Sequence, residues 1–237
     1  MVYRRVALLI LGITGSVFVG VIMYLYVTDS GVLLYQDSSP VNVINADSES
    51  IHLPFAVPET CLVVRSILPY EGPFLEDASD REMVDVAAIL LQNVGNQDLL
   101  QCGVSIWADD RCFEFYGEYI PSQAVVLLLE RNAKAFVPLD ITDCTGWQVS
   151  RSPQNQNNDA LHIVEKAMGT LFVSNSSIMT LREVQITYKT WLEEEDILIG
   201  GISYSVLIEA LDPGQTVAIY PSHYAYGYSK IVSVTWK

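Results

Sequence analysis

Tyr220, Tyr224, Tyr226 and Tyr228 share parity within one short segment, so an extended chain would show four phenol rings on one face. Exposed, the row would form a stacking platform for a glycan or a protein partner, because a phenol joins an apolar body to a polar tip. Buried, the same rings would be ordinary core with hydroxyls reaching the rim. Pro221, Ser222, Gly227 and Ser229 favour a loop over a regular strand. His223, in the same stretch, reads as a backbone hydrogen-bonder rather than a ligand or base.

Other constellations are thinner. Ser222 and His223 are sequence neighbours, which says nothing of a spatial triad, and there is no G-x-S-x-G elbow or G-x-x-x-x-G-K phosphate loop. Gly200-Gly201 reads as a strand bend or bulge. A glycosidase needs two well-placed carboxylates; the densest cluster, Glu193-Glu-Glu-Asp196, reads as a solvated hairpin tip. That cluster and Glu76-Asp77-x-x-Asp80 lack the spacing of a dedicated Ca²⁺ loop. His52, His162 and His223 are scattered and no C-x-x-C pair exists, so no zinc site, and no cofactor, is expected. The Pro- and Gly-bearing stretch from Leu68 to Arg81 reads as a long loop and a second candidate surface. Asn175-Ser-Ser177 fits a glycosylation sequon that matters only in a eukaryotic secretory route.

Cys61, Cys102, Cys112 and Cys144 allow three disulfide pairings in an oxidising compartment. If Asp109-Asp110 is a two-residue turn, Trp107 faces Cys112 and Cys102 faces Gly117. Cys102 then lies about 16 Å from Cys112 along the ladder, beyond the roughly 7 Å Cα separation a bridge tolerates. Cys61–Cys102 as a core bridge and Cys112–Cys144 as a surface bridge is the pairing favoured; four unpaired thiols is the other reading.

The elements that hold these residues begin with Val6–Val27, an uncharged run of 22 residues. As a helix it would span about 33 Å, close to a bilayer's hydrocarbon core. A cleaved signal peptide has a shorter apolar stretch ending in a small-x-small site, and Tyr24-Leu-Tyr-Val-Thr-Asp29 offers none, so the segment reads as an uncleaved anchor. Arg4 and Arg5 place residues 1–5 in the cytoplasm and the rest outside the cell membrane. Gly12, Ser16 and Gly20 form a small-residue stripe through which two such helices would associate into a homo-oligomer. Residues 28–50, rich in Ser, Asp and Asn, read as a stalk. All 28 acidic residues follow the anchor, and the net charge of −15 argues against nucleic acid as a partner.

Beyond the stalk the hydrophobic period is two. Cys102, Val104 and Ile106 alternate with Gly103, Ser105 and Trp107; Val184, Ile186 and Tyr188 alternate with Gln185, Thr187 and Lys189. Strands recur about every ten residues with turn signals between them, which predicts an all-β antiparallel sandwich. A weak repeat sets Ala87–Asn93 against Gly169–Asn175, Leu99–Ile106 against Leu181–Ile186, and Pro121-Ser-Gln123 against Pro213-Gly-Gln215. The offset is 82 for the Asn and 92 for the Gln, so a hairpin about ten residues longer is expected in the second copy, around Glu193–Asp196. Two tandem sandwiches follow, 51–151 and 160–237, joined by the polar linker 152–159. One sheet-swapped domain is the alternative.

Ile199-Gly-Gly-Ile-Ser-Tyr204, Leu211-Asp-Pro-Gly-Gln215 and Pro221–Lys230 resemble uncharacterised membrane-anchored surface proteins of clostridia-like Gram-positive bacteria. The strand–Asn-x-Gly–strand phrase of the first copy looks like bacterial Ig-like adhesion modules. The resemblance implies a Gram-positive cell surface and an Ig-like fold, and no activity. The role expected is non-catalytic: an extracytoplasmic binding or assembly module whose partner is a protein or a cell-wall glycan. The alternatives are an accessory subunit of a larger surface complex and a cryptic carbohydrate-active enzyme using paired carboxylates.

Overall fold

The computed structural model describes residues 51–237 apart from 80, 109, 138–139, 152–157 and 167–168. The expected cytoplasmic end, anchor, Gly12/Ser16/Gly20 stripe, stalk and most of the linker lie outside the described residues. Among those described, no helix is long and apolar enough to cross a membrane.

The chain is all-β. Its strands are β1 (Phe55–Ala56), β2 (Leu62–Pro73), β3 (Glu82–Asn93), β4 (Leu99–Ala108), β5 (Arg111–Ile120), β6 (Val125–Leu129) and β7 (Ile141–Ser150). They continue with β8 (Leu161–Lys166), β9 (Thr170–Asn175), β10 (Leu181–Leu192), β11 (Ile197–Leu211), β12 (Thr216–Ile219) and β13 (Ser229–Thr235). The period-two alternation explains the strands directly: Cys102, Val104 and Ile106 on β4 and Val184, Ile186 and Tyr188 on β10 are all buried.

Three sheets form. A seven-stranded sheet has the order β1-β2-β3-β6-β11-β10-β13, and two three-stranded sheets have the orders β5-β4-β7 and β12-β9-β8. The β5-β4-β7 sheet shares one core with β2, β3 and β6, through Val104, Ile106, Phe113 and Phe115 on one side and Leu62, Ile89, Leu91 and Val126 on the other. The β12-β9-β8 sheet shares a second core with β10 and β11, through Leu171 and Val173 against Val184, Ile186 and Tyr188. Each half of the chain is thus a sandwich, and the middle sheet runs through both.

The repeat is visible strand by strand. β2-β3-β6 facing β5-β4-β7 recurs as β8-β9-β12 facing β11-β10-β13. Asn93, last in β3, pairs with Leu62, first in β2; Asn175, last in β9, pairs with Leu161, first in β8. Leu99 pairs with Ile120, and Leu181 with Leu211. Gln92 pairs with Val125, and Ser174 with Thr216, so the second offset is 91 rather than 92. The β10–β11 hairpin is therefore nine residues longer than β4–β5.

Those extra residues make the joint. Ile197, Leu198 and Ile199 add in parallel to Val125, Val126 and Leu127 of β6. Leu198 enters the first core, with Trp191 packed against it. Ile199 enters a smaller cluster with Tyr70, Phe74, Leu75, Leu127 and Leu129 on the sheet's other face. The linker divides the sequence, but it does not divide the sheet.

The stretch Leu68–Arg81 is not one long loop. β2 continues through Pro73, with Pro69 opposite Ala87. Beyond the two-residue β1 this strand is an edge, where a proline's missing N–H leaves no ladder bond unmade. Only residues 74–81 connect, through a short 3-10 turn at Leu75–Asp77.

Candidate functional site

The tyrosine segment is the crossover from β12 to β13, carrying the chain from one sheet of the second sandwich to the other. It turns twice, with Tyr224 N–H donating to Pro221 O (3.4 Å) and Tyr228 N–H to Ala225 O (3.0 Å). His223 takes a φ of 59° and Gly227 one of 79°, so the chain is not extended and the four rings do not share a face. Tyr224 is buried, whereas Tyr220, Tyr226 and Tyr228 are 77%, 56% and 43% exposed. The two readings of the sequence each apply to part of the row.

The buried part anchors the exposed part. Tyr224 meets Tyr188 of β10 edge-on, with ring centroids 5.0 Å apart, and the Tyr188 hydroxyl donates to Ser222 O. Tyr188 stacks on Tyr204 at 5.9 Å, and Tyr204 stacks on His223 at 4.6 Å and 12°. Burial raises the pKa of Tyr224, with the neighbouring Glu165 adding to it, so its hydroxyl stays protonated. At the far end Ser229 Oγ accepts from Ala225 N–H (3.0 Å) and Tyr228 O from Trp191 N–H (2.8 Å). Lys230 Nζ sits 4.8 Å over the Trp191 ring and 2.6 Å from Asp196, whose carboxylate also accepts from Trp191 Nε1 (3.0 Å). The Lys230 hydrogen bond holds the Asp196 carboxyl below its ordinary pKa. Glu193–Asp196 is the exposed tip of the β10–β11 hairpin, joined to the end of the crossover through Lys230.

A second cluster escaped the sequence reading. Lys189 is fully buried and donates to Gly201 O (2.9 Å) and Ile202 O (2.8 Å). Glu76, on the 3-10 turn, accepts from Leu129 N–H of β6 (3.0 Å) and from Gly201 N–H of β11 (2.8 and 3.0 Å to its two oxygens). Glu118 on β5 accepts from Ser203 Oγ (2.9 Å) and the Tyr116 hydroxyl (3.1 Å). Burial pushes Glu76 up to about 7, against its backbone N–H donors and Lys189. Burial pulls Lys189 down to about 8, against the attraction of Glu76 and Glu118. The bulge expected at Gly200-Gly201 is present, since the β10–β11 register breaks between Ile199 and Tyr204 and Gly200 takes a φ of 80°; a Cβ on Gly201 would collide with Tyr116 O and Glu76 Oε2.

Lys189 and Thr187 alternate with the core face of β10, a position that suggests solvent. They are buried because the other face of that sheet lies against the first sandwich. Alternation assumes one wet face, so only a sequence signal for the joint itself would have found this lysine.

All four cysteines are free thiols, so neither expected bridge is present. Cys112 on β5 is opposite Trp107 of β4, and Cys144 on β7 is opposite Ile106 of the same strand. They sit two ladder spacings apart, about 10 Å, and face opposite sides of the sheet. Cys61 Sγ instead contacts Asn93 Oδ1 (3.2 Å) and Gln148 Oε1 (3.1 Å). Burial pushes the Cys102 and Cys144 thiols up to about 12. Cys102 does face Gly117, as the expected turn requires.

Asn175 is no sugar acceptor. It is 1% exposed, and its Nδ2 donates to Met179 O (2.7 Å) and Leu211 O (2.8 Å). Asp77 pairs with Arg81 at 3.7 Å while Glu76 turns inward, so the two do not converge as cation ligands. Among the described residues no three His, Cys, Asp or Glu side chains are placed to hold a metal ion. Compared with protein-family models, curated proteins and solved structures, the chain gives no match to any of them.

Proposed function

We infer that this chain is a membrane-anchored extracytoplasmic binding or assembly module without catalysis, and that the β12–β13 crossover is its recognition surface. The observation that carries this reading is the split of one loop into a buried anchor and three exposed rings. Tyr224 is fixed in the core while Tyr220, Tyr226 and Tyr228 project into solvent. Rings held this way lose little conformational freedom when a partner covers them. The partner is a cell-wall glycan or a protein segment, either of which can stack on phenol faces.

The strand order supports an Ig-like assignment for both sandwiches. β2-β3-β6 and β5-β4-β7 match the A-B-E and C′-C-F strands of an immunoglobulin sandwich, and β8–β13 repeat them. A Gram-positive surface and attachment by residues 6–27 follow from the sequence resemblance and the apolar run.

The experiment is a glycan-array and wall-polymer screen with the full chain in detergent, beside a Tyr220→Ala/Tyr226→Ala variant. Binding by the parent that the folded variant loses assigns recognition to this loop. Equal binding by both rejects the loop as the site. No binding by either rejects the glycan partner and turns the search to proteins.

A further inference from the structure

We propose that the junction between the sandwiches is a proton-operated latch, in which Glu76 changes the grip of one sandwich on the other as it gains or loses its proton. The inference is independent of what the tyrosine loop binds.

Geometry carries it. The parallel ladder between β6 and β11 ends at Leu127 and Ile199. Two residues further on, where Leu129 and Gly201 no longer pair with each other, one carboxylate accepts from both their N–H groups. Glu76 therefore continues the ladder with a side chain, on the line where the halves of the molecule meet. The groups facing it come from both sandwiches: Lys189 from β10 and Glu118 from β5. Cys102 of β4 also faces Lys189, and Tyr116 bonds Glu118. Arg131, after β6, acts on Tyr116 from further out. Lys189 is tied to the same strand segment through Gly201 O and Ile202 O, so Glu76 holds the N–H of Gly201 while Lys189 holds its C=O. Burying charges without full compensation is costly, and a proton is the cheapest way to relieve that cost.

The direction follows from linkage. Glu76 is raised from 4.5 to about 7, so its contribution to stability is full below pH 4.5 and is lost as pH rises through 7. Lys189 is lowered from 10.5 to about 8, so its contribution is full above pH 10.5 and is lost as pH falls through 8. The latch is loosest between pH 7 and 8, where both groups are charged, and mild acid tightens it.

The test follows the amide ¹H and ¹⁵N shifts of Leu129 and Gly201 in the full chain from pH 4.5 to 8.5. Both amides are expected to titrate together with a midpoint near 7. They should be silent in Glu76→Gln, and the Gln variant should lose the fall of about tenfold or more in the folding equilibrium constant between pH 5 and 7.5. Glu118→Gln keeps the Glu76 carboxylate and should lower the shared midpoint, because it removes a like charge. A midpoint at an ordinary carboxylate value, unrelated titrations of the two amides, or a midpoint unmoved by Glu118→Gln would each overturn the latch.

Discussion

The same crossover is built twice in this molecule and used in opposite ways. In the first sandwich the chain leaving β6 folds straight back onto β3: Glu130 N–H donates to Ala87 O, Ala87 N–H to Lys134 O, and Phe136 N–H to Asp85 O. Its anchor is a carboxylate, since the buried Glu130 accepts from the N–H groups of Asn132 and Lys134, both at 2.8 Å, and from Glu114 N–H. In the second sandwich the anchor is an aromatic ring, Tyr224, and the flanking residues go outward. The edges differ in the same sense. β6 is covered by the extended β10–β11 hairpin, while its counterpart β12 pairs only with β9 among the named strands. The two copies are equivalent frames: the first uses its crossover and edge to hold the molecule together, and the second leaves its crossover exposed.

The largest effect should come from what the copies keep in common. Asn93 and Asn175 each tie the turn after their strand to the far hairpin end, through Gln97 O and Ile120 O in one case and Met179 O and Leu211 O in the other. Asn93→Ala and Asn175→Ala should each cost about 4 kcal/mol in urea unfolding, because several buried carbonyls lose their donor. A large difference between the two would break the equivalence of the copies.

Leu198→Ala should cost about 3 kcal/mol by leaving a cavity in the first core, although the residue belongs to the second copy. Trp107 and Trp147 fluorescence during urea unfolding would report it. Gly201→Ala should cost about 2 kcal/mol, since the added Cβ must displace both the Tyr116 backbone and the Glu76 carboxylate. The smallest effect separates the two roles within one loop: Tyr226→Ala should change stability by less than about 0.5 kcal/mol, and thermal unfolding of the variant measures that directly. A stability loss at Tyr226 as large as a core truncation would mean that the ring is structural rather than presented.

Much of the frame was legible in the residues. The alternation on β4 and β10 shows which faces line the sandwich cores, and the Asn-centred phrases mark the repeat to within one residue. The expected longer hairpin around Glu193–Asp196 is present, nine residues rather than ten, because Gln215 corresponds to Ala124 and not to Gln123. Its purpose was not legible. Ile197-Leu-Ile199 is an ordinary apolar strand start, and nothing local says that its partner is β6, more than sixty residues earlier. That missing contact explains the missed burial of Lys189 and Glu76, since both are inside only because the copies touch. The tyrosine segment is half legible: Pro221, Ser222, Gly227 and Ser229 point to the loop that forms, whereas one shared face presumes an extended chain, which the positive φ at His223 and Gly227 breaks. The disulfide pairing misled for a related reason, because Cys112 and Cys144 flank the same strand from opposite edges.

The seven-stranded sheet is continuous across the two copies. Native-state hydrogen exchange of the full chain tests it most directly, by comparing the opening free energies of core amides on β3 and β6 with those on β10 and β11. One shared value, with Val126 and Leu198 among the slowest to exchange, is the predicted result. Two separate values, with the amides of Leu198 and Ile199 exchanging as fast as those at an open edge, would mean that the sandwiches are independent beads and that the hairpin does not join them.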